Sequence, residues 1–334
     1  MVSVPKFPYV VFREILANCN ASVLSALSNT SRHFNNNLIR DLPRNMFKIK
    51  ISIQMMAMLE TSKGDTSESF FIPYLDCDRL DLKDILESAM FSFSNDSLAS
   101  LTVSIDGMTR FLKCDIDSLI IDCGHCIGMM PQILGWLNER QQSINELIIK
   151  YEAERDVEDL DYFLKNMNVV ESFVIYVDTL PDGMRPLHPK FKCDFLSVTD
   201  HPSNNWMSLK DISNSDCKHI QLDTSEFTPT EWNTFLKSWK NGSNQRMEYI
   251  TANIIESEDM MIELTDGLNV VEREESLIRT FVFVSTPCAF FGGLDIKRED
   301  EKVASVVIGP IMHDHDDGKQ IRALTVVVWP EGTN

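Results

Sequence analysis

Two short stretches of the sequence carry residue types that bind metals or move electrons. Cys123-Gly-His-Cys126 is a Cys-x-x-Cys pair. That spacing serves redox chemistry where it opens a helix after a strand, or supplies half of a four-ligand zinc site. It does follow a strand-like run, but no second pair stands at a suitable distance to complete a zinc site. The reading adopted is structural: Cys123 closes a strand as a small buried apolar residue. His313-Asp-His-Asp-Asp317 offers two imidazoles and three carboxylates. In an extended segment His313 and His315 share a face and could hold one metal. Gly318 follows directly, and the stretch reads as a solvated hairpin loop. Dinucleotide- and phosphate-binding glycine loops, a Gly-x-Ser-x-Gly elbow and His-Glu-x-x-His are all missing from the sequence. The expectation is a protein without catalytic residues, metal or cofactor.

What must position such residues is a chain of 334 residues, 43% hydrophobic and 24% charged. This composition excludes a disordered or low-complexity polymer. No apolar run reaches 18 residues, so no membrane span is expected. Lys6, Arg13 and Glu14 break any signal-peptide core near the start. A cytoplasmic or nuclear rather than secreted protein follows, with its eight cysteines as free thiols. Charge is divided unevenly. Residues 1–50 hold seven basic and two acidic side chains, while the whole chain carries −19. A head of +5 therefore sits on a body of −24. Such a body repels phosphate backbones and favours basic protein partners over nucleic acid.

Residues 7–40 predict two or three short helices. Pro8 suits a first helical turn, Val11, Ile15 and Leu16 follow at helical spacing, and Val23, Leu24 and Leu27 resume the period after a break at Asn20 to Ser22. Ser31 then precedes Phe34, Leu38 and Ile39. So small a unit cannot bury a stable core alone and should dock on a partner. The segment resembles an F-box. Phe7-Pro8 matches its opening pair, Ile15-Leu16 its Ile-Leu pair, and Leu24, Leu27 and Ser31-Arg32-His33-Phe34 its later positions. The Pro that usually precedes the middle helix is absent. The resemblance implies that Phe7, Pro8, Val11, Ile15, Leu16, Leu24, Leu27 and Phe34 bind a Skp-family adaptor and, through it, a cullin.

The body shows a recurring apolar triplet at i, i+3, i+5. It falls at Ile116/Leu119/Ile121, Ile144/Leu147/Ile149, Val170/Phe173/Ile175, Cys193/Leu196/Val198, Cys217/Ile220/Leu222, Met247/Ile250/Ala252 and Ile278/Phe281/Phe283. Positions i+3 and i+5 share one face of a strand. Helical patterns lie between the triplets: Met130 to Leu137, Val157 to Leu164, Leu209 to Ile212, Trp232 to Trp239, and Met260 to Leu264. This alternation resembles leucine-rich repeats, with an irregular period. It predicts an α/β solenoid after a helical F-box. The stretch Ile296 to Ile308, with Gly292-Gly293 before it, reads as two strands joined by the charged turn at Glu299 to Lys302. With Ala323 to Trp329 they predict an antiparallel β cap. Ile49 to Met56 and Leu98 to Ile105 read as strands, and Leu80 to Met90 as a helix. The division expected is an F-box at 1–45, a linking α/β region at 46–115, a repeat-like recognition domain at 116–285 and the cap at 286–334.

Residues 156–252 are similar to the nematode-type F-box-associated domain of type 2, which follows F-boxes in a large family. Trp206, Leu209, Cys217-Lys218, Asn233-x-Phe235-Leu236-x-x-Trp239, Gly242 and Met247-x-Tyr249 carry the likeness. The two resemblances together imply a non-catalytic substrate-recognition subunit of an SCF-type (Skp–cullin–F-box) ubiquitin ligase. A binding scaffold of the same fold outside the ligase is the alternative. If the triplets face inward, the residues between them face the target. Strand alternation gives these as Lys150, Tyr176, Thr199, Gln221, Asp223 and Asn253.

Overall fold

Alternating apolar and polar residues set the architecture, because successive side chains of a strand point to opposite faces. The computed structural model describes residues 18–28, 40, 42–53, 57–72, 97–123, 130–151, 157–177, 190–200, 207–283, 285–314 and 320–330. They fall into two compact units, Met1–Cys126 with Trp136–Ile144, and Ile127–Gly135 with Asn145–Asn334. The chain is α/β and rich in strand.

In the first unit β1 (Lys48–Ile53), β2 (Ala57–Lys63), β3 (Thr66–Ile72) and β4 (Ile116–Asp122) lie in the order β3-β2-β1-β4. β1 is antiparallel to β2 and parallel to β4. Helix α1 (Ala21–Ser28) is tied to the β2–β3 hairpin. The Ser22 N–H donates to the Glu68 carboxylate at 3.0 Å, and the Lys63 ammonium to the Cys19 carbonyl at 3.1 Å. Leu98 to Ile105, expected as a strand, instead opens helix α2 (Ser97–Leu112). Leu101, Ile105, Met108 and Leu112 are its apolar side chains found buried, with Thr109 beside them. Their spacing is that of one helix face, a period visible only over the full sixteen residues. The β2–β3 hairpin had no counterpart among the expectations. The helix expected at Leu80 to Met90 lies outside the described residues.

The second unit orders its strands β5-β6-β7-β8-β9-β13-β12-β11-β10. These are β5 (Ile144–Tyr151), β6 (Val169–Val177), β7 (Phe195–Asp200), β8 (His219–Phe227), β9 (Tyr249–Ile255), β10 (Val270–Phe283), β11 (Thr286–Lys297), β12 (Val303–Asp314) and β13 (Gln320–Trp329). β6 to β9 run parallel, and β13 joins β9 antiparallel. Two apolar rows cross five strands in register: Phe173–Leu196–Ile220–Ile250–Val326 and Ile175–Val198–Leu222–Ala252–Leu324. All ten side chains are buried. They are the i+3 and i+5 positions of four of the sequence triplets, extended onto β13. Full burial of each large member is worth about 1.5–3 kcal/mol.

The helices expected in the body all form. They are α3 (Met130–Arg140), α4 (Val157–Asn166), α5 (Leu209–Ser213), α6 (Pro229–Lys240) and α7 (Met260–Thr265). α6 packs between α5 and α7 and against β9. Its start is fixed by a capping box, in which Thr228 and Glu231 bond to each other's backbone N–H, and by Pro229 in the first turn. Trp232, Phe235, Leu236 and Trp239 recur on one face and are buried. The Trp232 indole N–H donates to the Asn253 carbonyl at 3.3 Å. The buried Asn233 amide donates to the carbonyls of Leu264 and Asp266, each at 2.9 Å. It thus satisfies carbonyls at the end of α7 that have no partner within that helix.

The seventh triplet is a correction. Ile278, Phe281 and Phe283 lie on β10, which pairs antiparallel with β11 and ends the strand order rather than extending the parallel series. Ile278 is 60% exposed. Val170 departs too: it is exposed, and Val169 takes the buried place at the start of β6. Trp232→Ala is expected to cost about 3–5 kcal/mol, because it removes a fully buried ring. Thr228→Ala loses only the cap and is expected to cost about 1 kcal/mol. Urea unfolding of the two variants beside the parent chain checks both values and their ratio.

Candidate functional site

Where one side of β6–β9 and β13 is apolar, the other side must carry the intervening residues. Register sorts them into rows. Tyr176, Thr199 and Asp223 stand side by side on β6, β7 and β8. Next comes the row Val174–Ser197–Gln221–Thr251–Thr325, and then Phe195–His219–Tyr249–Val327. Of the residues expected to face a target, Lys150 and Tyr176 are exposed, and Thr199, Gln221, Asp223 and Asn253 are partly exposed. The Gln221 amide donates to both carboxylate oxygens of Asp223, at 2.9 and 3.0 Å. Thr251 and Thr325 share a hydroxyl–hydroxyl bond of 3.1 Å across β9 and β13. The face is therefore a polar stripe whose hydroxyl, amide and carboxylate groups are held by rigid strands. Such a surface can accept a polypeptide's donors without prior rearrangement.

One end of this stripe is roofed. The Gly292–Gly293 doublet in β11 has φ of +58° and +107°, the left-handed region that glycine occupies without penalty. A Cβ on Gly293 would stand 2.9 Å from the Val306 carbonyl oxygen. The register of β10 against β11 shifts at the same level, between Arg273 and Ile278. Beyond that bend the β10–β11 hairpin brings Phe281 and Phe283 against the third row. Phe283 lies 4.6 Å from the Tyr249 ring, 5.5 Å from His219 and 6.0 Å from Phe195. Phe281 stacks on Tyr249 at 5.8 Å and meets Trp329 edge-on at 6.4 Å.

A polar cluster holds the hairpin in this position. Asp295, 7% exposed, accepts from Arg273 and from the Ser305 hydroxyl, and lies 3.6 Å from Arg279. Arg279 also donates to Ser305 at 3.2 Å and sits 4.9 Å above the Trp329 ring. The Trp329 indole N–H completes the set by donating to Ser305 at 2.7 Å. A third arginine, Arg298, lies 4.9 Å from the Trp239 ring and grips Asp300 with two hydrogen bonds of 2.8 and 2.6 Å. That bidentate pair holds the Asp300 carboxyl down to about 2.

The aromatic roof perturbs His219. Burial lowers its pKa from the ordinary 6.5, against the opposing pull of Glu248 at 3.5 Å. Nearby, Cys193 and Cys217 sit with sulfurs 3.6 Å apart, both buried. The bond between them, together with burial, pushes the Cys193 thiol up. Arg246 and Lys218 bridge Asp194 close to this pair, Lys218 at 2.7 Å. The Lys218 hydrogen bond lowers the Asp194 pKa.

The stretches with metal or redox residue types are not assembled into a site among the described residues. Cys123 is buried just after β4, and Cys126 and His315 lie outside the described residues. His313 pairs with Ile321 in the β12–β13 ladder. Among the described residues no group of three or more His, Cys, Asp or Glu side chains is placed to hold a metal ion. No helix among them is long and apolar enough to cross a membrane. Of the expected adaptor contacts, Phe7, Pro8, Val11, Ile15, Leu16 and Phe34 lie outside the described residues. Leu27 belongs to α1, and Leu24 of the same helix is buried. Sequence reasoning missed the roof altogether. The available signal was a Gly-Gly doublet inside a strand-like run, preceded by Phe281-x-Phe283 and Phe290.

Comparison with known families places one match. Residues 187–252 fit a family model described as "F-box associated". The matched segment comprises β7, α5, β8, α6 and the start of β9, and so includes Thr199, Gln221 and Asp223 of the polar stripe. No curated protein and no solved structure matches the chain significantly.

His219 yields a pH prediction. A folded pKa below the unfolded one means that the native state binds fewer protons, so stability falls as the solution is acidified through and below about pH 6.5. Thermal melts between pH 7.5 and 5.5 should show a declining Tm for the parent chain. His219→Gln should flatten that decline. An equal slope in both proteins would assign it to other groups.

Proposed function

We propose that this chain is a substrate-recognition adaptor of an SCF-type ubiquitin ligase. The observation that carries the reading is the F-box-associated match over 187–252, which coincides with the most regular part of the polar face. The F-box resemblance of residues 1–45 adds to it. In this reading Phe7, Pro8, Val11, Ile15, Leu16, Leu24, Leu27 and Phe34 bind a Skp-family adaptor, which links to a cullin. The chain acts in the cytoplasm or nucleus as a nematode-type member of that family. Its parallel strands serve as an irregular leucine-rich-repeat-like solenoid, with the antiparallel strands β10–β13 as its cap.

The protein performs no bond chemistry here. It holds a target close to a ubiquitin-loaded enzyme, so that the target's lysines meet the thioester at high effective concentration. Lys150, Tyr176, Thr199, Gln221, Asp223 and Asn253 form the contact surface. Tyr176 is its natural anchor: it is exposed, amphipathic, and loses little side-chain freedom on binding. The −24 carried outside the first fifty residues favours a basic target and raises its association rate.

Two variants separate the halves of this reading. Leu16→Asp puts a carboxylate into an apolar contact, a change that costs several kcal/mol, and should abolish co-purification with a Skp-family adaptor. Tyr176→Ala with Asp223→Ala should leave adaptor capture intact. The same pair should reduce proximity labelling of proteins that accumulate under proteasome inhibition. Adaptor capture that survives Leu16→Asp counts against the F-box interface. Targets bound without adaptor or cullin would point to a scaffold acting outside the ligase.

A further inference from the structure

The outer side of the β10–β11 hairpin is as apolar as its inner side, yet nothing among the described residues covers it. Ile278 and Val282 are each 60% exposed and Phe291 56%. Ile278 stands directly opposite Phe291, Thr280 opposite Ala289 and Val282 opposite Pro287. All six are exposed. Alternation explains the arrangement, since Arg279 and Phe281 turn inward to Asp295, Trp329 and Tyr249 and the residues between them must turn outward. β10 also ends the strand order of its unit, so its second edge presents backbone N–H and C=O groups that pair with no described strand. Long apolar edges of this kind invite strand addition, and proteins that do not use them blunt them with charge or proline.

The blunting is confined to one half. Glu272, Glu274 and Glu275 are exposed and have no ion-pair partner among the described residues. The basic residues of the strand, Arg273 and Arg279, are both committed to Asp295. The outward charge of β10 is therefore wholly negative at its start, and its later half is apolar. A second copy of this chain fits such an edge poorly. Self-pairing would offer these glutamates no free basic residue of β10, since Arg273 and Arg279 of the second copy are held by its own Asp295, and each copy already carries −19.

We propose that the free edge of β10 captures an extended segment of a partner protein. That segment carries lysine or arginine next to a run of alternating β-branched residues. Main-chain hydrogen bonds along β10 hold it, its apolar side chains cover Ile278, Val282 and Phe291, and its basic residues meet Glu272, Glu274 and Glu275. This surface lies on the outside of the hairpin, apart from the polar stripe, and its use requires no F-box. Its failure would leave the adaptor reading untouched.

The test is fluorescence anisotropy of the full chain with a labelled peptide, Lys-Arg-Lys-Ser-Val-Thr-Val-Thr-Val. Saturable binding is expected. It should weaken at least about tenfold with Ile278→Thr plus Val282→Thr, which keep β-branching while replacing an ethyl and a methyl group by hydroxyl. The triple change Glu272→Gln, Glu274→Gln, Glu275→Gln should weaken it similarly and remove most of its salt dependence. Circular dichroism melts confirm that each variant is folded. A peptide with proline for the central valine should not bind, because it lacks the amide donor and cannot extend a ladder. No binding up to millimolar peptide would overturn the proposal, as would equal binding of a peptide with Glu-Asp-Glu in place of Lys-Arg-Lys. So would concentration-dependent dimers in sedimentation that Ile278→Thr plus Val282→Thr abolishes, since these would make a second copy the occupant.

Discussion

A single buried carboxylate governs the shape of the polar face. Asp295 lies almost wholly out of water, where an unpaired charge would be prohibitively costly. It is tolerated because Arg273, Arg279 and the Ser305 hydroxyl converge on it. Those partners come from β10 and β12, so the requirement to neutralise one group fixes the hairpin against the strands beside it. Trp329 closes the arrangement by bonding Ser305 and stacking under Arg279. Everything placed by the hairpin depends on that charge being satisfied: the rings over Tyr249 and His219, the roofed end of the polar stripe, and the outward display of Ile278 and Val282.

The polar stripe itself is a by-product of core packing. Two apolar rows in register across β6, β7, β8, β9 and β13 leave no freedom for the residues between them. Tyr176, Thr199 and Asp223 must line up because Ile175, Val198 and Leu222 do. A one-residue slip in any strand would turn its apolar set to the other face. Polar groups placed this way are pre-organised by the core, with no added entropic cost.

Sequence alone made much of this legible, and the reasons for the rest are physical. The i+3 and i+5 triplet positions from Phe173 to Ala252 announced the in-register rows, because periodicity over many strands is a strong signal. Thr228-Pro229 announced α6 through the chemistry of its cap. Leu98 to Ile105 misled because a short apolar window does not separate helix from strand. Phe281 and Phe283 misled because their triplet spacing matches the repeat, while the feature that decides their fate is a bend at Gly292–Gly293, more distant in the chain. Asp295 gave no sequence signal at all. Its partners are assembled only by tertiary structure, and one acidic residue among many cannot be singled out beforehand.

The position of β13 has a consequence for how the molecule is made. It follows β10, β11 and β12 in the chain, yet it is inserted between β12 and β9. The Thr251–Leu324 contact that seals it to β9 spans 73 residues. The hairpins β10–β11 and β11–β12 are local and can form as soon as they leave the ribosome. The parallel series waits, with the edge of β9 bare, until the last strand arrives and is threaded into its slot. Closing so long a loop is slow compared with forming a hairpin. Newly synthesised molecules therefore pass through a stage in which the facing edges of β9 and β12 are unpaired as well. Their yield depends on how well that stage is kept from pairing with its neighbours.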